Sequence, residues 1–197
     1  MFNTINYLLT YGIFFVLAYG FISCEEQNTR LVYQLKQPDD LKKPVYEVFS
    51  KVIHRHFDGH DYIAIQQETD TFSHLHKIGN IYETLPPSVD SGLVDQYLHT
   101  NHTSYSLGYA FQVDLPIKLV SQQELNSYKD WNNFQNHYPR ATGIIRFTHP
   151  GFNQDYTEAF FKYTWKTGND MTNHFFVMLT MMEGAWQILI HRPDSCS

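Results

Sequence analysis

The sequence predicts an α+β fold: N-terminal helices followed by a C-terminal antiparallel β-meander, with a signal segment ahead of the folded domain. Apolar residues between 45 and 57 recur at helical spacing, whereas several stretches between 157 and 191 alternate with a period of two. Helices first and a sheet afterwards is the order of an α+β chain. Aromatic residues make up 16% of the 197 residues, with 14 Tyr and 15 Phe, and this share favours strand.

The first two dozen residues read as a targeting segment. Ile5 to Ser23 carries no charged side chain, and Leu8 to Tyr19 is its apolar heart, the length of a signal-peptide hydrophobic region. It closes on Phe21-Ile22-Ser23-Cys24 and then Glu25, Glu26 and Gln27. This order resembles a lipoprotein signal, in which the cysteine becomes the first mature residue, so Cys24 is the expected lipid attachment. Phe21 stands where that pattern has Leu, and no Lys or Arg precedes the apolar run. Two alternatives stay open: cleavage after Ala18-Tyr19-Gly20, giving a secreted protein, or an uncleaved helix, since about 18–20 apolar residues just span a bilayer. An unlipidated Cys24 has one possible partner, Cys196.

The expected organisation is a signal peptide over 1–23, a polar tether over 24–43, one domain over 44–192 and a short tail over 193–197. Pro44 suits a first helical turn, and Val45, Val48, Phe49, Val52, Ile53 and Phe57 form one face of the helix that Asp58-Gly59 ends. Tyr62 to Ile65 reads as a strand, and 66–87 is ambiguous. Ser88 is a candidate N-cap for a helix carrying Val89, Leu93, Val94, Tyr97 and Leu98. Leu115 to Val120 is a short strand, and Ser121 with Glu124 makes a capping-box pattern. Strands follow over 143–149, 157–166, 174–182 and 185–191, with Trp186, Ile188 and Ile190 expected on one side. Glu183-Gly184 is the turn between the last two.

Charge and motif exclude several functions. The formal net charge is −6 and no Lys/Arg stripe exists to neutralise phosphates, so nucleic acid is not an expected partner. No P-loop, G-x-G-x-x-G, H-E-x-x-H or G-x-S-x-G pattern occurs. The run His54-Arg55-His56-Phe57-Asp58-Gly59-His60-Asp61 is near the H-x-H-x-D-H pattern of metallo-β-lactamase-like hydrolases, but Gly59 is inserted and helical residues two apart point about 200° apart. Cationic side chains in a last helical turn, favoured by the dipole, explain it better. His74 with His76, and His99 with His102, lack a third ligand at motif spacing. No cofactor or metal is expected, and no catalytic residue can be named. Asn101-His102-Thr103 fits a glycosylation sequon, which the bacterial-style leader makes irrelevant. Tyr138-Pro139, Phe152 and Trp165 suit either a ligand groove or the core, and burial is the commoner use of such residues.

Trp131, Phe134, Tyr138-Pro139, Gly143-Ile144-Ile145, Phe147-Thr148, Gly151-Phe152-Asn153, Ala159-Phe160-Phe161 and Gly184-Ala185-Trp186 form a spaced pattern along the C-terminal part of the chain. It resembles a set of uncharacterised bacterial envelope proteins, many of them predicted lipoproteins, and Leu93 to Leu107 is also similar. The chain departs from that pattern at His149-Pro150, where Arg-Val is usual, and in the loop Thr167-Gly168-Asn169-Asp170. The resemblance implies an exported α+β domain in the cell envelope and no particular activity. The expected function is a non-catalytic, membrane-tethered module binding a protein, glycan or small molecule. The alternatives are an envelope hydrolase with a dispersed site and a histidine-based metal-binding protein.

Overall fold

Residues 41–71 and 89–193 are described in a computed structural model of the protein, and all lie in the compact unit Tyr33–Ser197. The signal segment, the tether as far as residue 40, Cys24, Cys196, Ser88, His74 and His76 lie outside the described residues, whereas Leu41 belongs to the core, Lys42 precedes α1 and Lys43 begins it. Helix α1 spans Lys43–His56 with Pro44 in its first turn, and buries Val45, Val48, Phe49, Val52 and Ile53. Gly59 follows with φ +87°, the left-handed conformation that only Gly adopts at no steric cost. Strand β1 is Ile63–Gln66. Helix α2 is Ser91–Thr100, capped by Asp90, whose carboxylate accepts from the Gly92 amide. Strand β2 (Ile117–Val120), α3 (Gln122–Ser127) and α4 (Trp131–His137) follow. The remaining strands are β3 (Ile144–Phe147), β4 (Gly151–Phe152), β5 (Glu158–Lys166), β6 (Thr172–Met182) and β7 (Ala185–Pro193).

These strands form a sheet of order β2-β1-β3-β5-β6-β7, with β4 also paired to β5. The fold is α+β, and β5, β6 and β7 make the antiparallel meander that alternation predicts. The sheet as a whole is mixed, because β1 runs parallel to both β2 and β3. Helices are also not confined to the N-terminal side: α2, α3 and α4 stand between strands, and α4 has too short an apolar stripe to announce itself.

Both sheet faces are covered. Phe49 of α1 stacks on Phe147 at 4.2 Å and meets Phe161 edge-on at 5.2 Å. The same helix presents Tyr46, Ser50 and His54 at four-residue spacing to the 108–112 loop. Their polar tips take the Gly108 amide, the Gln112 amide and the Gln112 carbonyl, so loop and helix hold each other. On the opposite face, Ala64, Val120, Phe134, Tyr138, Ala141 and Ile144 form a second cluster under α3 and α4. Tyr97 of α2 meets Phe160 edge-on at 4.9 Å on that face.

Three local expectations change. The N-cap of α2 is Asp90. The Ser121 hydroxyl accepts from the Glu124 amide at 3.1 Å, the first half of a capping box. The second half is replaced: the Glu124 carboxylate accepts instead from the Tyr128 and Tyr138 hydroxyls, which come from outside the helix. A bulge opposite Met178/Leu179 leaves Leu189 unpaired, so Ile188 stands opposite Leu179 but Ile190 opposite Met178. An extra residue reverses the alternation, so Trp186 and Ile188 share a face that Ile190 does not. Glu183 and Gly184, both at positive φ, make the β6–β7 turn as expected.

Candidate functional site

A half-open cleft of about 710 Å³ lies where the start of α1, one face of α2 and the β4 turn meet. Gly92, Gln96 and Thr100 fall at four-residue spacing, which puts them on the α2 face turned to it. The Thr100 hydroxyl donates to the Gln96 carbonyl at 2.8 Å. Opposite stand Tyr105, His149, Phe152, Asn153 and Tyr156.

The floor is fixed by one buried amide. Asn101 is fully buried; its Nδ2 donates to the Tyr97 and His149 carbonyls, and its Oδ1 accepts from the His149 amide. Two of these hydrogen bonds join the C-terminus of α2 to His149 and the third returns to Tyr97 within α2, and together they withdraw the sequon asparagine from the surface. Beside it, a Cβ on Gly151 would stand 2.5 Å from the Tyr97 nitrogen, so the β4 backbone and α2 touch as only Gly allows. Asn153 then closes the turn into β5: its Oδ1 accepts from the Thr157 and Glu158 amides, and its Nδ2 donates to the Thr157 hydroxyl.

His149 is the chemical centre of the cleft. Burial pushes its pKa down to about 4, against the raising effect of the Pro150 carbonyl. Its Nδ1 lies 2.7 Å from that carbonyl, an acceptor only, so Nδ1 carries the proton and Nε2 is left as a neutral acceptor. The ring lies 4.4 Å from Tyr105. At the rim, Tyr156 tilts against Phe152 at 5.2 Å, with the Lys42 ammonium over its face at 4.8 Å.

The sequence candidates scatter. His54 donates to the Gln112 carbonyl, His56 stacks on His191 at 3.6 Å, and His60 pairs with the Thr142 hydroxyl beside Trp165. Among the described residues no three His, Cys, Asp or Glu side chains gather where they could hold a metal ion. Asn153 lines the cleft and the buried Asn101 braces His149 from behind it, while Trp165 packs edge-on against Phe57 at 5.2 Å. Tyr138 is buried, and Phe152 both fills the core and lines the cleft. Sequence reasoning missed Tyr105, Gln96 and His149. The one signal for the last was that His149-Pro150 interrupts the family-like pattern. Among the described residues no helix is long and apolar enough to cross a membrane. Comparison with known protein families, curated proteins and solved structures finds no match.

Proposed function

We propose that this protein is an exported binding module, tethered to the bacterial envelope through lipid on Cys24, whose cleft around His149 holds an uncharged polyhydroxylated ligand of the glycan class. The neutral His149 at the centre of the 710 Å³ cleft carries the reading. Nε2 offers an acceptor to a hydroxyl donor, the Gln96 amide offers a donor and an acceptor, the Thr100 oxygen an acceptor, and Asn153 the second hydrogen of its Nδ2. Tyr105 and Tyr156 supply flat rings suited to the C–H faces of a sugar. A histidine that stays neutral down to about pH 4 is a poor proton acceptor near neutrality, which favours holding over catalysis. The uncharged run from Ile5 to Ser23 and the cysteine that follows support the anchor.

Screening the purified full chain on a glycan array tests the cleft. Tyr105→Ala and Gln96→Ala are each expected to weaken the strongest hits about tenfold or more, as truncations at the centre of a binding site do. Retention of every hit by both variants would place binding elsewhere. Fractionation tests the anchor: Cys24→Ala should move the protein from the membrane to the soluble exported fraction, and native protein found in the cytosol would overturn it.

A further inference from the structure

A second cleft, of about 240 Å³, opens on the sheet face beside α3 and α4. Its floor breaks the rule that buried polar atoms find partners. Gln66 is 3% exposed, yet its Oε1 is buried without a hydrogen-bond partner. Its Nε2 donates to the Glu68 carbonyl at 3.0 Å, which fixes the amide's orientation and leaves Oε1 as a spare acceptor. Ile65 pairs with Ile145 in register, so Gln66 stands beside Arg146 on the same face. The Arg146 guanidinium reaches Asp70 at 3.1 Å through one terminal nitrogen, while its Nε is buried and unpaired. A spare acceptor and a spare charged donor therefore lie side by side.

The walls complete a description of what fits. Lys129 and Lys166 join Arg146 in the lining, against the single carboxylate of Asp130, which is engaged in capping α4. Tyr128, Trp131 and Phe134 form an aromatic side. The cations call for a carboxylate, the aromatic side for an apolar substituent, and Gln66 Oε1 for a neighbouring donor. An ammonium donor would meet three cations, so the donor is a hydroxyl.

We propose that this cleft is a binding site for a small 2-hydroxycarboxylate with an apolar or aromatic substituent. The carboxylate accepts from Arg146 Nε and the lysines, the hydroxyl donates to Gln66 Oε1, and the substituent lies against Trp131. The site is separate from the His149 cleft and does not depend on the reading given for it.

Titration of the full chain with 3-phenyllactate, followed by NMR of the Gln66 side-chain amide and the Arg146 Nε–H, tests this. Both signals should move, with half-saturation on the order of 1 mM or below. Removing the hydroxyl, with 3-phenylpropionate as probe, should weaken binding roughly fivefold, the value of one neutral hydrogen bond. The half-exposed Lys166→Gln, chosen because it leaves the core alone, should weaken both probes equally. Signals that stay fixed up to about 10 mM would overturn the proposal, as would equal affinity for the two probes or no effect of Lys166→Gln.

Discussion

His56 at the end of α1 and His191 in β7 stack ring on ring with centroids 3.6 Å apart and planes 21° from parallel. His191 Nε2 is hydrogen-bonded with the Tyr163 hydroxyl at 2.8 Å, and Phe175 stacks on the same ring at 5.0 Å. Burial lowers both pKa values, with Arg55 adding to the effect on His56 and His56 to that on His191, which is held at about 4. The contact between helix and sheet edge is therefore built for neutral imidazoles.

Stability should consequently fall on mild acidification. The unfolded histidines take up protons near pH 6.5, the folded His191 only near 4, so stability is complete above about 6.5 and declines between those values. Because these rings are only partly shielded, the loss at His191 is on the order of 1 kcal/mol. Urea unfolding of His191→Phe, which keeps the stack, should show a flatter pH dependence over that range than the native chain; identical curves would refute it.

His149 should add to the same decline. Its pKa of about 4 lies below the ordinary 6.5, and the ring is partly buried in the cleft wall, so it contributes on the order of 2 kcal/mol above pH 6.5, lost as pH falls towards 4. NMR titration of the ring should show Nδ1 protonated and Nε2 bare at pH 7, and a midpoint near 6.5 would contradict the buried neutral state.

Asn101→Ala should cost about 2–4 kcal/mol, because it leaves the His149 amide and carbonyl without their shared partner, while the Tyr97 carbonyl keeps the backbone amide of residue 101. Thermal unfolding reads this directly, with roughly 2–4 °C lost per kcal/mol in a domain of this size. A change within about 0.5 kcal/mol, the range of ordinary surface substitutions, would refute the role given to the amide.

Gly151→Ala and Gly143→Ala should destabilise by about 3 kcal/mol or prevent folding, in the range of severe overpacking. The added methyl would meet the Tyr97 backbone at 2.5 Å in the first and the Trp165 indole nitrogen at 2.0 Å in the second. Gly168→Ala, whose nearest neighbour is the Met171 side chain at 3.5 Å, is the control and should be nearly neutral.

Tyr138→Phe should raise the pKa of Glu124, whose carboxylate is held below its ordinary value chiefly by the Tyr138 hydroxyl, with Tyr128 helping. The Glu124 contribution is present above its ordinary pKa and lost as pH falls through the lowered one. A carboxyl NMR titration should move upward in the variant, and an unchanged midpoint would assign the shift to another cause.

The sequence alone determined the elements whose residues repeat at a simple period. The α1 stripe from Val45 to Ile53, the alternation along β5 and the Glu183-Gly184 turn are local patterns, and local geometry enforces them. It also exposed Gly143, Gly151 and Asn153 as a motif without saying why. Tertiary structure decided the rest, since partners far apart in the chain set it. The parallel pairing of β1 with β2 and β3 joins segments some 50–80 residues apart. A single unpaired residue, Leu189, reverses Ile190 with no trace in composition. The His149 cleft assembles from three distant segments, two of them joined by the Asn101 amide, and the Gln66–Arg146 floor exists only because two strands lie in register. Hydrogen-bond partners and burial are properties of the packed chain, so no single stretch of sequence carries them.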